Sequence, residues 1–147
     1  MVAARGRARP AAPGYTGAMP VAREPLVILV AGPYRSGTGD DPARIAANLQ
    51  AMEEAALALF RAGHLGVTGE WLALPLARLA GSRAMGDAPW EEIFHPIAER
   101  LARRCDACLR IGGASAGADA MVAIFAAAGR PVFHRLEDVP RVVTFTD

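Results

Sequence analysis

Residues 27–42, VILVAGPYRSGTGDDP, run from an apolar, β-branched segment through a glycine-rich turn to the start of a helix. The apolar segment begins at Pro25 and is uninterrupted, which is typical of a parallel strand covered on both faces. Asp41 is a suitable N-cap, and Pro42 suits the first turn of a helix. The stretch therefore predicts a strand, a turn at its carboxyl end and a helix, which together open a βαβ unit.

The alternation of strands and helices continues after this unit. The first helix ends at Gly63, and its apolar positions recur at helical spacing: Ile45, Leu49, Met52, Ala56, Leu59 and Phe60. A short strand is predicted at 64–69 and a short helix at 70–81. We expect Pro75 to break that helix because proline lacks the amide hydrogen that a helix interior requires. A loop follows at 81–89.

The second half of the chain repeats the pattern. A long helix is predicted at 89–104, with a buried stripe of Trp90, Ile93, Ile97 and Leu101. A strand at 107–113, a helix at 118–129 and a strand at 131–135 follow. The order βαβαβαβ requires right-handed crossovers and a parallel sheet. We therefore expect a flavodoxin-like α/β three-layer sandwich with four to five strands in the order 2-1-3-4, and ligand sites at the carboxyl ends of the strands.

The composition limits the class of protein. The chain has 147 residues, of which 52% are hydrophobic, so it can form one domain with a substantial core. Sixteen basic and fifteen acidic residues give a net charge of +1, which argues against a nucleic-acid or membrane-surface partner. The apolar runs are shorter than a membrane span, and no secretory signal is evident, so we expect a cytoplasmic protein.

Both ends of the chain lack apolar periodicity. Residues 1–24 mix Arg, Pro, Ala and Gly and are predicted to be a disordered extension, with a nucleic-acid-binding arm as the alternative. Met19 lies close before the first strand and is an alternative translation start. The single domain is expected at 25–140, followed by a tail at 141–147.

Two cysteines, Cys105 and Cys108, form an isolated CxxC pair. Redox pairs of this spacing normally open a helix, whereas this one closes a helix and enters a strand. A zinc site needs two further ligands, and the three histidines lack ligand spacing. We favour small buried thiols over a redox or metal role, and expect no metal and no cofactor.

Two turns carry the groups that bind small ligands, and the predicted fold places them side by side. The first offers backbone amides, hydroxyls and a guanidinium suited to a phosphate or a sugar hydroxyl, from Gly32, Tyr34, Arg35, Ser36, Gly37 and Thr38. The second offers Gly113, Ser115 and Gly117. Neither turn matches a standard phosphate-binding motif, so polar turns without a ligand are the alternative.

Three segments together resemble the nucleoside 2-deoxyribosyltransferase-like superfamily, which includes the deoxynucleoside 5′-monophosphate N-glycosidases. They are VILVAGPYRSG at 27–37, CDACLRIGG at 105–113 and SAGADAMVAIFAAAGRPV at 115–132, and the similarity covers about 26–133. The resemblance implies cleavage or exchange of the N-glycosidic bond of a nucleoside or its monophosphate. It also implies that the first turn holds the sugar or the 5′-phosphate.

The chain departs from this family at two carboxylates. The family uses a carboxylate near the start of the last helix as a nucleophile toward C1′, where this sequence has Met121, and a second carboxylate at the position of Ala98. Asp119 and Glu70 are the candidate catalytic replacements. Each is equally suited to be a helix-start acid that interacts with the helix dipole. Trp71 is a candidate for stacking on a base, with core packing as the alternative.

Two functions remain open from the sequence. The first is an N-glycosidase or transferase that acts on a nucleoside or nucleoside 5′-monophosphate. The second is a non-catalytic nucleotide-binding or sensing protein that keeps the pocket without the family carboxylates. We favour the enzyme because Asp119 and Glu70 both follow strand ends. The expected partners are a small-molecule nucleoside or nucleotide and further copies of the chain, since the resemblance implies a homo-oligomer.

Overall fold

The computed structural model describes residues 21, 22 and 24–142. Its strands are β1 (Val21–Ala22), β2 (Val27–Ala31), β3 (Leu65–Val67), β4 (Ala107–Arg110), β5 (Val132–Phe133) and β6 (Arg141–Val142). Its α-helices are α1 (Pro42–Arg61), α2 (Gly69–Leu79), α3 (Ala88–Ala102) and α4 (Ala116–Ala127), and a 3-10 helix spans Leu136–Asp138.

The main sheet has four parallel strands in the order β3-β2-β4-β5. Leu29 of β2 is in register with Val67 of β3 on one side and with Cys108 of β4 on the other. Because β2 is the first strand of this sheet along the chain, the order is the predicted 2-1-3-4. The flavodoxin-like α/β sandwich is confirmed.

The central strand β2 divides the core between the two faces of the sheet, because successive side chains of a strand point to opposite faces. Ile28 and Val30 pack with Met52 and Leu59 of α1 on one face. On the other face Leu29 and Ala31 pack with residues from the end of α3 and from α4, among them Phe125, which is fully buried. Burial on both faces explains the uninterrupted apolar run of this strand.

Helix α1 begins and ends where the sequence predicts. The Asp41 side chain accepts a hydrogen bond from the Ala43 N–H at 3.0 Å, and Gly63 has a φ of 94°, which favours glycine. Phe60, the last apolar position of the predicted helix, does not pack on the core, since this residue is 68% exposed. It follows the fully buried Leu59, and a step of about 100° around the helix turns its ring away from the sheet.

Helix α2 runs through Pro75 without a break, so the predicted break is wrong. Proline removes one hydrogen bond, the one that position 75 would donate to the carbonyl of Trp71. Ala73 and Ala77 on either side of Pro75 are buried against the rest of the domain. Tertiary packing on both sides of the proline therefore outweighs the loss of a single helical hydrogen bond.

A second sheet joins the two ends of the described chain. Strand β1 pairs in parallel with β6, with Val21 opposite Arg141. The Val142 N–H donates to the Ala62 carbonyl at 3.0 Å, which ties this sheet to the end of α1. Residues 21 and 22 fall in the segment predicted to be disordered, and the structure gives them a strand. The rest of that segment, Met19 included, and residues 143–147 of the predicted tail lie outside the described residues.

No helix within the described part of the chain is long and apolar enough to cross a membrane.

Candidate functional site

A cavity of about 160 Å³ lies at the carboxyl end of the sheet, where the predicted fold places ligand sites. Its walls come from the turn after β2, the first turn of α2, one side of α3 and the start of α4. Among the predicted site residues, those that line it are Gly32, Tyr34, Arg35, Ser36, Glu70, Ser115 and Gly117. The structure places the other five predicted residues elsewhere: Gly37, Thr38, Trp71, Gly113 and Asp119.

Glu70 is the only carboxylate that lines this cavity among the described residues. It sits in the first turn of α2, whose N-cap Thr68 is fully buried and accepts a hydrogen bond from the Trp71 N–H at 3.4 Å. Burial raises the pKa of Glu70 above its usual value, and hydrogen bonds from its own backbone N–H and from the Thr68 hydroxyl oppose that rise in part. A raised pKa suits a carboxyl group that donates a proton near neutral pH.

Three aromatic rings form one wall of the cavity. Trp90 and Phe94, one turn apart on α3, have ring centroids 4.2 Å apart and planes that differ by 12°. Tyr34, in the turn after β2, stacks on Phe94 at 5.6 Å. Burial raises the pKa of Tyr34, and the nearby charge of Glu70 raises it further. The three rings give this side of the cavity an aromatic lining.

The sequence pattern does not predict most of this wall. Trp90, which its spacing predicts as a core residue, is half-buried and lines the cavity. Phe94 and His95 also line it, and neither was a candidate. The available signal was the pair of aromatic residues at positions 90 and 94, because an i, i+4 spacing puts both rings on one side of a helix.

The turn after β2 holds Arg35 at the edge of the cavity. Its Nε donates to Oδ1 of Asp40 at 2.7 Å and its Nη2 donates to Oδ2 at 3.0 Å. The guanidinium lowers the pKa of Asp40 through these hydrogen bonds. Asp40 has a φ of 60°, a conformation that costs a non-glycine residue energy and recurs at ligand-binding sites. Arg35 therefore has an internal carboxylate partner, which an anionic ligand would have to replace.

Thr38, predicted to bind phosphate, has a different environment. Its side chain is buried, and its hydroxyl donates to the Arg35 carbonyl and accepts a hydrogen bond from the Asp40 N–H at 3.2 Å. Both hydrogen bonds lie within the turn. Thr38 therefore fixes the shape of the turn that presents Arg35, and does not face the cavity.

The second predicted turn meets the first, as the fold predicts. Ser115 caps α4 by accepting a hydrogen bond from the Ala118 N–H at 3.2 Å. Its hydroxyl also accepts from the Ser36 hydroxyl at 3.5 Å, so the two turns contact each other at the cavity. With Gly117 in the first turn of α4, the helix start adds backbone N–H groups to this side of the cavity.

Asp119 and Trp71 point away from the cavity. Arg110 Nε donates to Oδ1 of Asp119 at 3.1 Å, and Arg110 Nη2 donates to the Gly113 carbonyl at 2.8 Å. The Asp119 side chain is 69% exposed, and its bond to Arg110 stabilises the turn before α4. Trp71 donates from Nε1 to a carboxylate oxygen of Glu53 on α1 at 3.0 Å. Neither residue is brought together with Glu70 in the cavity.

The two positions at which the resembled family has carboxylates both line the cavity. Ala98 faces it from α3 and Met121 faces it from α4. A Cβ atom added to Gly69 would lie 3.1 Å from the Ala98 Cβ, so the first turn of α2 packs closely on α3 at this point. The methyl group of Ala98 and the thioether of Met121 make this part of the cavity apolar. Among the described residues, the carboxyl group that lines the cavity is that of Glu70.

The cysteines are buried, as predicted. Burial raises the pKa of Cys105 to about 11 and that of Cys108 to about 12, which keeps both as neutral thiols. No group of three or more His, Cys, Asp or Glu side chains in the described part of the chain is arranged to hold a metal ion. Asp106 bonds to the backbone, accepting a hydrogen bond from the Val27 N–H at 2.9 Å.

No protein-family model and no curated protein matches this sequence.

Proposed function

We propose that the cavity binds a nucleoside or nucleoside 5′-monophosphate and that the protein hydrolyses its N-glycosidic bond, with Glu70 as the catalytic acid. The observation that carries this proposal is the position of Glu70. It is the one carboxyl group among the described residues that lines the cavity, and it lies near a wall of stacked aromatic rings. A base stacks on such a wall, and a carboxyl group with a raised pKa acts on the bond that joins the base to the sugar.

The reaction follows from the protonation state of Glu70. The protonated carboxyl group donates its proton to the base as the bond between C1′ and the base nitrogen breaks, and the electron pair of that bond leaves with the base. Water then bonds to C1′ and returns a proton to the Glu70 carboxylate. The ionised carboxylate also stabilises the positive charge that develops on the sugar ring. One acid therefore supports both steps.

The two serine turns support a substrate with a phosphate or sugar hydroxyl. Ser36 and Ser115 present adjacent hydroxyl groups, and the start of α4 contributes N–H groups. Arg35 supplies a positive charge at the same edge, provided that its hydrogen bonds to Asp40 are exchanged for bonds to the ligand. We therefore place the 5′ end of the nucleotide at these turns and the base on the aromatic wall.

The test is the release of free base from a panel of nucleosides and nucleoside 5′-monophosphates, measured by liquid chromatography. We expect release from at least one monophosphate, and expect Glu70→Gln to abolish release while ligand affinity is kept. Asp119→Asn is the matched control because it also neutralises an acid at a helix start, but one that points away from the cavity. If Asp119→Asn abolishes release and Glu70→Gln does not, the assignment of Glu70 is wrong.

The second candidate is a nucleotide-binding protein without catalysis. It is favoured by Ala98 and Met121, which put apolar groups in the cavity at the positions of the family carboxylates. Under this alternative the panel raises the melting temperature of the protein, but no member loses its base. That combination of results would reject the glycosidase and support the sensor.

A further inference from the structure

His64 is a buried histidine at the end of the sheet opposite to the cavity. It lies between the end of α1 and the start of β3, and only 3% of its surface is exposed. Its backbone N–H donates to the Leu59 carbonyl at 2.9 Å, which fixes the residue against the last turn of α1. The other two histidines, His95 and His134, are exposed. A buried imidazole with fixed partners is a group through which pH can act on a fold.

The two ring nitrogens of His64 contact backbone groups of opposite kinds. Nδ1 accepts a hydrogen bond from the Leu26 N–H at 3.0 Å, and Nε2 contacts the Pro140 carbonyl oxygen. An N–H group only donates, so Nδ1 carries no hydrogen. A carbonyl oxygen only accepts, so Nε2 carries one. These partners therefore require the neutral ring with its hydrogen on Nε2.

Leu26 is held by two consecutive residues. Its N–H donates to the His64 ring, and its carbonyl accepts a hydrogen bond from the Leu65 N–H at 2.9 Å. Leu26 immediately precedes β2 and ends the segment that leads from β1 into that strand. Pro140 immediately precedes β6, the partner of β1. The ring of His64 therefore joins the segments that enter both strands of the small sheet.

We propose that His64 is a proton-sensitive latch, which holds the segment between β1 and β2 when its ring is neutral and releases that segment when its ring is protonated. Protonation adds a hydrogen to Nδ1, and two N–H groups then face each other. A histidine in water titrates at about pH 6.5, so the bond to Leu26 is complete above this pH and is lost as the pH falls below it. The proposal does not depend on the proposed function.

The charged residues on the elements around His64 are exposed and carry both signs. They are Glu24 before β2, Arg61 at the end of α1, Glu137 and Asp138 of the 3-10 helix, and Arg141 of β6. Strand β3 contributes none. The ring bonds to backbone groups instead, and water and salt screen exposed charges. The hydrogen gained at Nδ1 is therefore the change that alters the contact with Leu26.

Nuclear magnetic resonance of the full-length chain tests the latch without any variant. The ring ¹⁵N chemical shifts of His64 at about pH 8 should show the tautomer with the hydrogen on Nε2. Between about pH 8 and about pH 5 the Leu26 amide should lose hydrogen-exchange protection by about 10-fold or more, after correction for the intrinsic effect of pH. The reference amide is that of Ile111, which donates to the Ala31 carbonyl at 2.9 Å. Its protection should change much less.

His64→Gln has a side chain that stays neutral, so the protection of Leu26 in this variant should not depend on pH over this range. His134→Gln is the matched control, because it removes an exposed histidine and should keep the wild-type pH dependence. The proposal is overturned if the wild-type ring carries its hydrogen on Nδ1, or if Leu26 and Ile111 lose protection equally. It is also overturned if His64→Gln keeps the pH dependence or if His134→Gln removes it. If His64→Gln does not fold, the two wild-type measurements still decide.

Discussion

Thr68 links the stability of the fold to the acidity of Glu70, and Thr68→Val tests both. The Thr68 hydroxyl accepts the Trp71 N–H at 3.4 Å as the N-cap of α2 and hydrogen-bonds to the Glu70 carboxylate. Valine has the same shape, so no cavity forms at this fully buried position. The lost cap costs about 1 kcal/mol, and the lost hydrogen bond to an ionised carboxylate about 1 kcal/mol more. The total of about 2 kcal/mol corresponds to a fall of about 6 °C in Tm.

The second part of this loss depends on pH. Burial raises the folded-state pKa of Glu70, so this group contributes stability that is fully present below its usual pKa of 4.5 and is lost as pH rises through the folded value. Thr68→Val removes a hydrogen bond that lowers the pKa, so the folded pKa rises further. We expect the variant to lose about 2 kcal/mol near neutral pH but only about 1 kcal/mol once Glu70 is protonated. Base release should extend to higher pH.

Urea unfolding followed by circular dichroism near neutral pH and at acidic pH measures these losses. Asp41→Ala is the matched control, because Asp41 caps α1 with a 3.0 Å hydrogen bond and does not line the cavity. It should cost about 1 kcal/mol near neutral pH. A cost of Thr68→Val below about 0.5 kcal/mol would show that the Thr68 hydroxyl does not stabilise α2. A cost of Thr68→Val that is the same at both pH values would show that this hydroxyl does not stabilise the ionised Glu70 carboxylate.

Three further predictions concern the cavity and the core. Arg35→Ala should weaken the binding of a nucleoside monophosphate by about 10-fold or more but barely change the binding of the nucleoside, because the guanidinium binds the phosphate. Calorimetric titrations measure both affinities. Equal losses of affinity for the two ligands would reject the phosphate site. Glu70→Gln should raise Tm near neutral pH, because burial disfavours the ionised form of Glu70. This rise in Tm should vanish below the usual carboxyl pKa of 4.5. A rise in Tm that persists at acidic pH would show that the ionisation of Glu70 is not its cause. Cys105 and Cys108 have pKa values of about 11 and 12, so they should resist alkylation by iodoacetamide in the native protein and react in urea. Mass spectrometry follows the labelling. Rapid labelling of the native protein would show that the buried thiols become accessible.

The sequence predicts the sheet because the relevant signals are local. The apolar run of β2, the N-cap Asp41 and the stop at Gly63 each act within a few residues. Right-handed crossovers then leave few possible orders for four parallel strands. The meeting of Ser36 and Ser115 follows from that order, since both turns lie at the same edge of the sheet.

The parts that the sequence does not predict depend on partners distant in the chain. Asp119 is a plausible catalytic acid by position, yet Arg110 holds it outside the cavity at 3.1 Å. Trp90 has the spacing of a core residue, and periodicity does not distinguish a helix face that packs on the core from one that lines a cavity. Pro75 shows the same limit, because the burial of Ala73 and Ala77 outweighs the loss of the helical hydrogen bond that proline removes.

Close packing between α2 and α3 helps to bring Glu70 to the cavity. A Cβ atom at Gly69 would lie 3.1 Å from the Ala98 Cβ, so the contact is formed by two of the smallest residues. A side chain at position 69 would push the first turn of α2 away from α3, and Glu70 would move with it. Glycine at position 69 therefore permits the approach that places Glu70 beside the cavity.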